Sequence, residues 1–217
     1  MEWFGNKNPQ LLKAGGTLAV ILNNKTYQMK SILTEQEREN FLIRLYFKTD
    51  KDFEIAGIKR AYLDFNRTLV LPENCETGER SAKRAKTELF LRRKLIELIK
   101  NSNLTQAEFD KLHENLCNEL ILEWNELTFG HCQKWINMSL KYWLLFGESR
   151  IPNIEKNSKF FHIPIDSIIQ ERFFQKNLPA WSKINTYKEY FWYQQDFRER
   201  NVGKIPILEE FREFNKI

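Results

Sequence analysis

The 217-residue chain carries 34 Lys and Arg against 29 Asp and Glu, a net charge of +5, and is 42% hydrophobic with only 8 Gly and 6 Pro. This excludes a disordered chain, collagen-like repeats and loop-rich sandwiches, and predicts a globular all-α protein over residues 1–217, as one domain or two small lobes. Three scattered cysteines form no disulfide framework, no Cys or His spacing suits a metal, and no apolar run nears the ~18 residues of a spanning helix. The expectation is a soluble, monomeric, cytoplasmic protein with no metal, cofactor or membrane partner, and no secretory leader opens the chain.

Residues 9–33 contain Gly15-Gly16, TLAVIL, Asn23-Asn24 and KTYQMKSIL. A hairpin around the Asn pair or two short helices would fit, and the helical alternative matches everything downstream. Thr34 to Glu37 reads as a capping box opening a helix with Phe41, Leu42, Leu45 and Tyr46 at helical spacing. A second helix covers about 53–65. After Pro72 and the polar turn ENCETGE, a long helix runs from about Ser81 to Lys100.

The stretch 80–94 holds Arg80, Lys83, Arg84, Lys86, Arg92, Arg93 and Lys94 against the single acid Glu88, so the positive excess of the chain sits here. Such a run suggests either a polyanion partner met by one face or a plain solvated helix face.

Leu104 to Glu108 supplies another capping box, and Phe109, Leu112, Leu116, Leu120 and Trp124 stripe the helix that follows. Thr128-Phe129-Gly130-His131 breaks it, and a new helix runs from about His131 to Phe146, making a hairpin with a glycine in its turn. A polar loop carrying Pro152 leads to Ile163-Pro164-Ile165-Asp166, with Asp166 placed to cap a helix over 167–174. An aromatic-rich helix from about Thr186 to Arg200 and a last helix after Pro206 complete the chain.

Two segments stand out together: FGHCQKWINMSLKYW (129–143), with Lys134 near the start of its helix, and FHIPIDSII (161–169), an apolar loop ending in Asp166. Gly130 in the turn, Gln133-Lys134 on the second helix and Ile163-Pro164-Ile165-Asp166 resemble the heart of the helix-hairpin-helix DNA glycosylase superfamily. The 32-residue interval from Lys134 to Asp166 and the Gln-Lys pair are most similar to the archaeal 8-oxoguanine DNA glycosylase/lyase branch. The likeness covers about 104–175. The Leu-Pro-Gly-Val-Gly hairpin and the four cysteines of the wider superfamily are absent.

The resemblance implies a two-lobed helical fold, Lys134 as nucleophile, Asp166 as its partner, and double-stranded DNA carrying a damaged or modified base as substrate. Chemistry agrees: displacing a base needs a nucleophile at C1′ and a group to face the developing cation, and an amine with a carboxylate supplies both. The positive end of a helix dipole near Lys134, with Trp135 and Phe129 close by, would favour the neutral amine that attack requires.

A flipped base also needs flat or soft walls. Met138, one turn after Lys134, together with Trp181, Trp192 and Tyr193, are candidates, and Gln194 and Asp196 could read base-edge donors. Backbone amides at Thr128, Gly130 and His131, with Gln133, would meet phosphate, while Arg80, Lys83, Arg84 and Lys86 would track the DNA backbone. Removal of a bulky phage-type base as a defence, or a non-catalytic module binding through 80–94, are the alternatives.

Overall fold

The computed structural model describes residues 10–14, 17–22, 25–28, 32–70, 72, 77–174 and 178–216. The turn 73–76 expected before the long helix lies outside them. The chain divides into two compact units, Met1–Tyr46 and Phe47–Ile217.

In the first unit the helical expectation for 9–33 is overturned. Strands β1 (Gln10–Ala14), β2 (Thr17–Leu22) and β3 (Lys25–Gln28) form an antiparallel sheet in the order β1-β2-β3. Ala14 is paired with Thr17 and Leu22 with Lys25. The sequence between the strands is Gly-Gly and Asn-Asn, residue types that favour two-residue hairpin connections, and each apolar run is too short to close a helix on its own. Helix α1 (Glu35–Phe47) follows, opened by the expected box: Thr34 Oγ1 accepts from the Glu37 amide at 3.1 Å, and the Glu37 carboxylate accepts from the Thr34 amide at 2.7 Å.

The second unit is all helix among its described residues, as composition predicts: α2 (Phe53–Leu63), α3 (Thr77–Lys100), α4 (Gln106–Glu123), α5 (Phe129–Phe146), α6 (Ser167–Phe173), α7 (Tyr187–Arg200) and α8 (Pro206–Phe214). Its centre is α5, in which every residue from Gly130 to Trp143 is buried. A helix buried on every side must be apolar or have each polar group answered. The indoles show how α2 docks on it: Trp135 Nε1 donates to the Ile58 carbonyl at 3.0 Å and Trp143 Nε1 to the Glu54 carbonyl at 2.9 Å. Gly57 lets the two helices approach, because a Cβ there would stand 2.8 Å from Trp143 Cδ1.

The basic run 80–94 lies on α3, and most of its cations are answered within the protein. Lys83 pairs with Glu126 at 2.7 Å, Lys86 with Glu123 at 3.0 Å and Lys94 with Glu119 at 2.8 Å, an ion ladder running down α3 and along α4 and its exit. Arg84 bonds Glu88 at 2.6 Å and lies 4.3 Å over the Tyr62 ring, and Arg92 pairs with Glu54. Arg80 donates to the Tyr62 hydroxyl at 3.1 Å. The cations expected to track a polyanion, Arg80, Lys83, Arg84 and Lys86, thus have partners within the protein, several of them distant in sequence, while the Lys86 side chain stays 73% exposed. No helix among the described residues is long and apolar enough to cross a membrane.

Gly57→Ala should lower the unfolding free energy by about 1–3 kcal/mol, because the new methyl meets a buried indole with no room to move. A denaturant midpoint unchanged from the wild type would contradict the close α2–α5 contact.

Candidate active site

The α5 N-terminus is set by a box the sequence pattern did not reveal, because its third helical residue is a histidine. Thr128 Oγ1 accepts from the His131 amide at 3.2 Å, and His131 Nδ1 accepts from the Thr128 amide at 3.2 Å. Thr128 Oγ1 also donates to the Ser182 carbonyl at 2.9 Å, and Gly130 N–H donates to the Ile184 carbonyl at 3.1 Å. The 3₁₀ turn Trp181–Lys183 presses so closely that a Cβ on Gly130 would stand 2.0 Å from the Trp181 carbonyl oxygen. The phosphate-binding role expected of Thr128, Gly130 and His131 is corrected accordingly, since these amides are already bonded inside the protein.

Helix α5 starts two residues earlier than the spacing suggested, so Lys134 is its sixth residue and lies in the second turn. The dipole field is strongest within the first turn, so the environment of the amine is decided by its neighbours instead. Lys134 Nζ contacts Asp166 Oδ2, with the lysine side chain only 5% exposed and the aspartate 23%. The Trp181 ring centroid lies 5.7 Å from Nζ. Asp166 serves two partners at once, because its Oδ1 accepts from the Ile169 amide at 2.9 Å and caps α6.

Asp166 also lines a small cavity of about 40 Å³, together with Met138, Lys141, Ile169, Glu210 and Phe214 among others; Lys134 is not among its walls. Met138 thus shares a cavity wall with Asp166. Lys141, two turns beyond Lys134, pairs with Glu210 of α8 at 2.6 Å, both buried. Glu210 Oε2 has no hydrogen-bond partner, and burial, opposed by Lys141, pushes its carboxyl above the usual range. Lys141 and Glu210 were missed by the sequence reading. Two lysines seven apart on an apolar helix were the available signal.

The remaining candidates are placed elsewhere. Trp192 is half exposed against Phe174 and Tyr193. The Tyr193 hydroxyl accepts from Gln170 at 2.9 Å, and Asp196 pairs with Arg200. None of them lines the cavity. Gln194 and Gln133 are buried and turned to the loop before Asp166: Gln194 bonds the amide and carbonyl of Ile163 at 3.1 and 2.9 Å, and Gln133 those of Ile165 at 3.0 and 2.7 Å. The expected base-reading and phosphate roles of these two glutamines are corrected by that placement.

Behind them runs a buried polar chain. Asn137 donates to Gln133 Oε1 at 3.2 Å and to the Tyr190 hydroxyl at 2.9 Å; His162 Nδ1 lies 2.7 Å from that hydroxyl and His162 Nε2 2.7 Å from Asp110. Arg198 grips Asp110 with two bonds of 2.8 Å. One proton assignment satisfies the chain: His162 Nε2–H donates to the carboxylate, and Nδ1 accepts from Tyr190. Burial pushes His162 and His131 down to about 4 and His113 well below its ordinary value. Against the upward push of burial, hydrogen bonds from His162 and Arg198 hold the Asp110 carboxyl well below the usual range.

No protein-family model, curated protein or solved structure matches the chain.

Two predictions come from this geometry. Gly130→Ala cannot be absorbed by a side-chain shift, because the obstacle is backbone; it should destabilise the protein by more than about 2 kcal/mol and displace the Trp181 turn. A thermal midpoint equal to wild type would contradict the contact. Histidines held neutral below their unfolded value of 6.5 make the unfolded state bind more protons between pH 6.5 and about 4, so stability falls as pH drops through that window, by up to ~1.4 kcal/mol per pH unit for each histidine. Glu210, and Asp64 raised by its own burial, act in the opposite sense and offset part of this. The denaturant midpoint should be lower at pH 5 than at pH 7.5; an equal or higher midpoint at pH 5 would contradict the neutral buried histidines.

Proposed function

We propose that the protein is a DNA glycosylase with β-lyase activity, acting as a cytoplasmic monomer on double-stranded DNA and removing an oxidised, 8-oxoguanine-like or otherwise modified base. The observation that carries this reading is the contact between the Lys134 amine and the Asp166 carboxylate beside a cavity walled by Met138 and Glu210. Buried lysines are rare, and one held by a carboxylate that itself lines a cavity supports the assignment of a nucleophile and its partner.

In the proposed reaction Asp166 takes a proton from Lys134, and the neutral amine attacks C1′ of the flipped nucleotide. A bond from Nζ to C1′ forms as the bond from C1′ to the base breaks, and Asp166 gives the proton it took from Lys134 to the departing base. The sugar ring opens to a Schiff base. Loss of a C2′ proton then expels the 3′ phosphate and cuts the strand. As it gives its proton to the base in the first step, Asp166 regains the negative charge that faces the cation developing at C1′.

The unpartnered Glu210 oxygen offers an acceptor to an N–H on the base, and Met138 a soft apolar wall. A base is larger than the cavity, so the proposal requires its walls to open. A non-catalytic module reading through the basic run is disfavoured, because the cations there are largely matched by Glu54, Glu88, Glu119, Glu123 and Glu126.

Borohydride trapping tests the proposal, using one duplex with an abasic site and a panel with 8-oxoguanine and bulky modified pyrimidines. The abasic duplex should give a covalent adduct whatever the preferred base, and the panel separates a repair substrate from a phage-type one. Lys134→Gln should abolish the adduct, and Asp166→Asn should slow its formation about 10²–10⁴-fold. Removing one member of a buried pair also destabilises, by about 3–5 kcal/mol, so both variants are melted in parallel and assayed where they are folded. Adduct formation by folded Lys134→Gln at the wild-type rate would refute the proposal.

A further inference from the structure

The segment Ile163-Pro164-Ile165 is extended and fully buried, yet it belongs to no sheet. Buried main-chain groups need partners, and no neighbouring strand is there to provide them. Two glutamine side chains do so instead. An amide side chain has the donor and acceptor arrangement of a peptide group, so one glutamine can answer both main-chain groups of one residue as a strand would. Gln194 of α7 answers Ile163, and Gln133 of α5 answers Ile165.

The two are not equivalent with respect to Asp166. Gln133 is the neighbour of Lys134, and Ile165 is the neighbour of Asp166. The amine and the carboxylate therefore hang from two adjoining points of a single clasp, made by bonds of 3.0 Å and 2.7 Å. The Gln133 amide is itself held, since Nε2 also donates to the Gly130 carbonyl at 3.0 Å and Oε1 accepts from Asn137. This sets its orientation without ambiguity.

We propose that Gln133 is a positioning residue: by clasping both main-chain groups of Ile165, it fixes the Asp166 carboxylate against the Lys134 amine. Gln194 supports the loop two residues further back. The catalytic consequence rests on the glycosylase reading, whereas the clasp itself does not.

The test combines amide hydrogen exchange with trapping on the abasic duplex. In the wild type the Ile163 and Ile165 amides should exchange slowly although they lie in no helix or strand. In Gln133→Met, Ile165 should exchange at least about 10-fold faster while Ile163 keeps its protection, and Gln194→Met should reverse the pattern. The trapping rate of Gln133→Met should fall about 10–100-fold with duplex affinity changed less than about twofold, the mark of misplaced groups rather than lost binding. Gln133→Asn keeps the amide on a stem too short to clasp Ile165, so it should behave as Gln133→Met does and serves if the methionine variant does not fold.

Equal acceleration at both amides, or a wild-type trapping rate once Ile165 is released, would overturn the proposal. If the wild-type protein traps nothing, the glycosylase reading falls, and the clasp is still decided by the exchange pattern alone.

Discussion

A charged amine inside a helix that is buried on every side has to meet a counter-charge, and the arrangement of the second unit follows from that requirement at Lys134. Isolated burial of an ammonium group is prohibitive, and even a paired one gives back much of its attraction in lost hydration. Keeping Asp166 in reach demands that an extended apolar loop cross the core, that the loop's main chain be bonded without a sheet, and that α6 begin where the carboxylate is needed. Gln133, Gln194 and the Asp166 cap meet those three demands. Such an expensive construction is poor evidence for stability and better evidence that a buried amine is wanted.

The polar chain behind the loop extends the same logic. Asn137 ties Gln133 to Tyr190, Tyr190 reaches His162, and His162 ends on the ion pair of Asp110 with Arg198. From Asn137 to His162 each buried side-chain donor has an acceptor, with Arg198 Nε left unpartnered at the far end, and three histidines held neutral make the interior sensitive to acid. Such order suits the roles proposed for Lys134 and Asp166, since catalysis by orientation is lost over small displacements.

Much of this was legible in the chain. Local rules sufficed for the caps at Thr34 and Thr105 and for the helix stripes, whereas the pairing of Lys134 with Asp166 was suggested only by the family resemblance. Asp166 was read both as a helix cap and as a partner of lysine, and it is both, with one oxygen for each. What escaped depended on distant partners. The charge excess at 80–94 was real along the sequence but is matched by acids of α2, α4 and the turn after α4. The amides at Thr128, Gly130 and His131 looked free because nothing local showed that Trp181–Lys183 would pack on them. The strands at 10–28 were lost to a helical prior, although the Gly-Gly and Asn-Asn punctuation favoured hairpins. Glu210 was illegible because its role appears only when α8 meets Lys141.

The central claim is that one amine, Lys134, reacts. Its most direct test is to reduce the covalent complex formed with an abasic duplex, digest both partners, and map the sugar remnant by mass spectrometry. The remnant is predicted on the peptide containing Lys134, at Nζ. A remnant on the α-amine or on any other lysine, Lys141 included, would contradict the account.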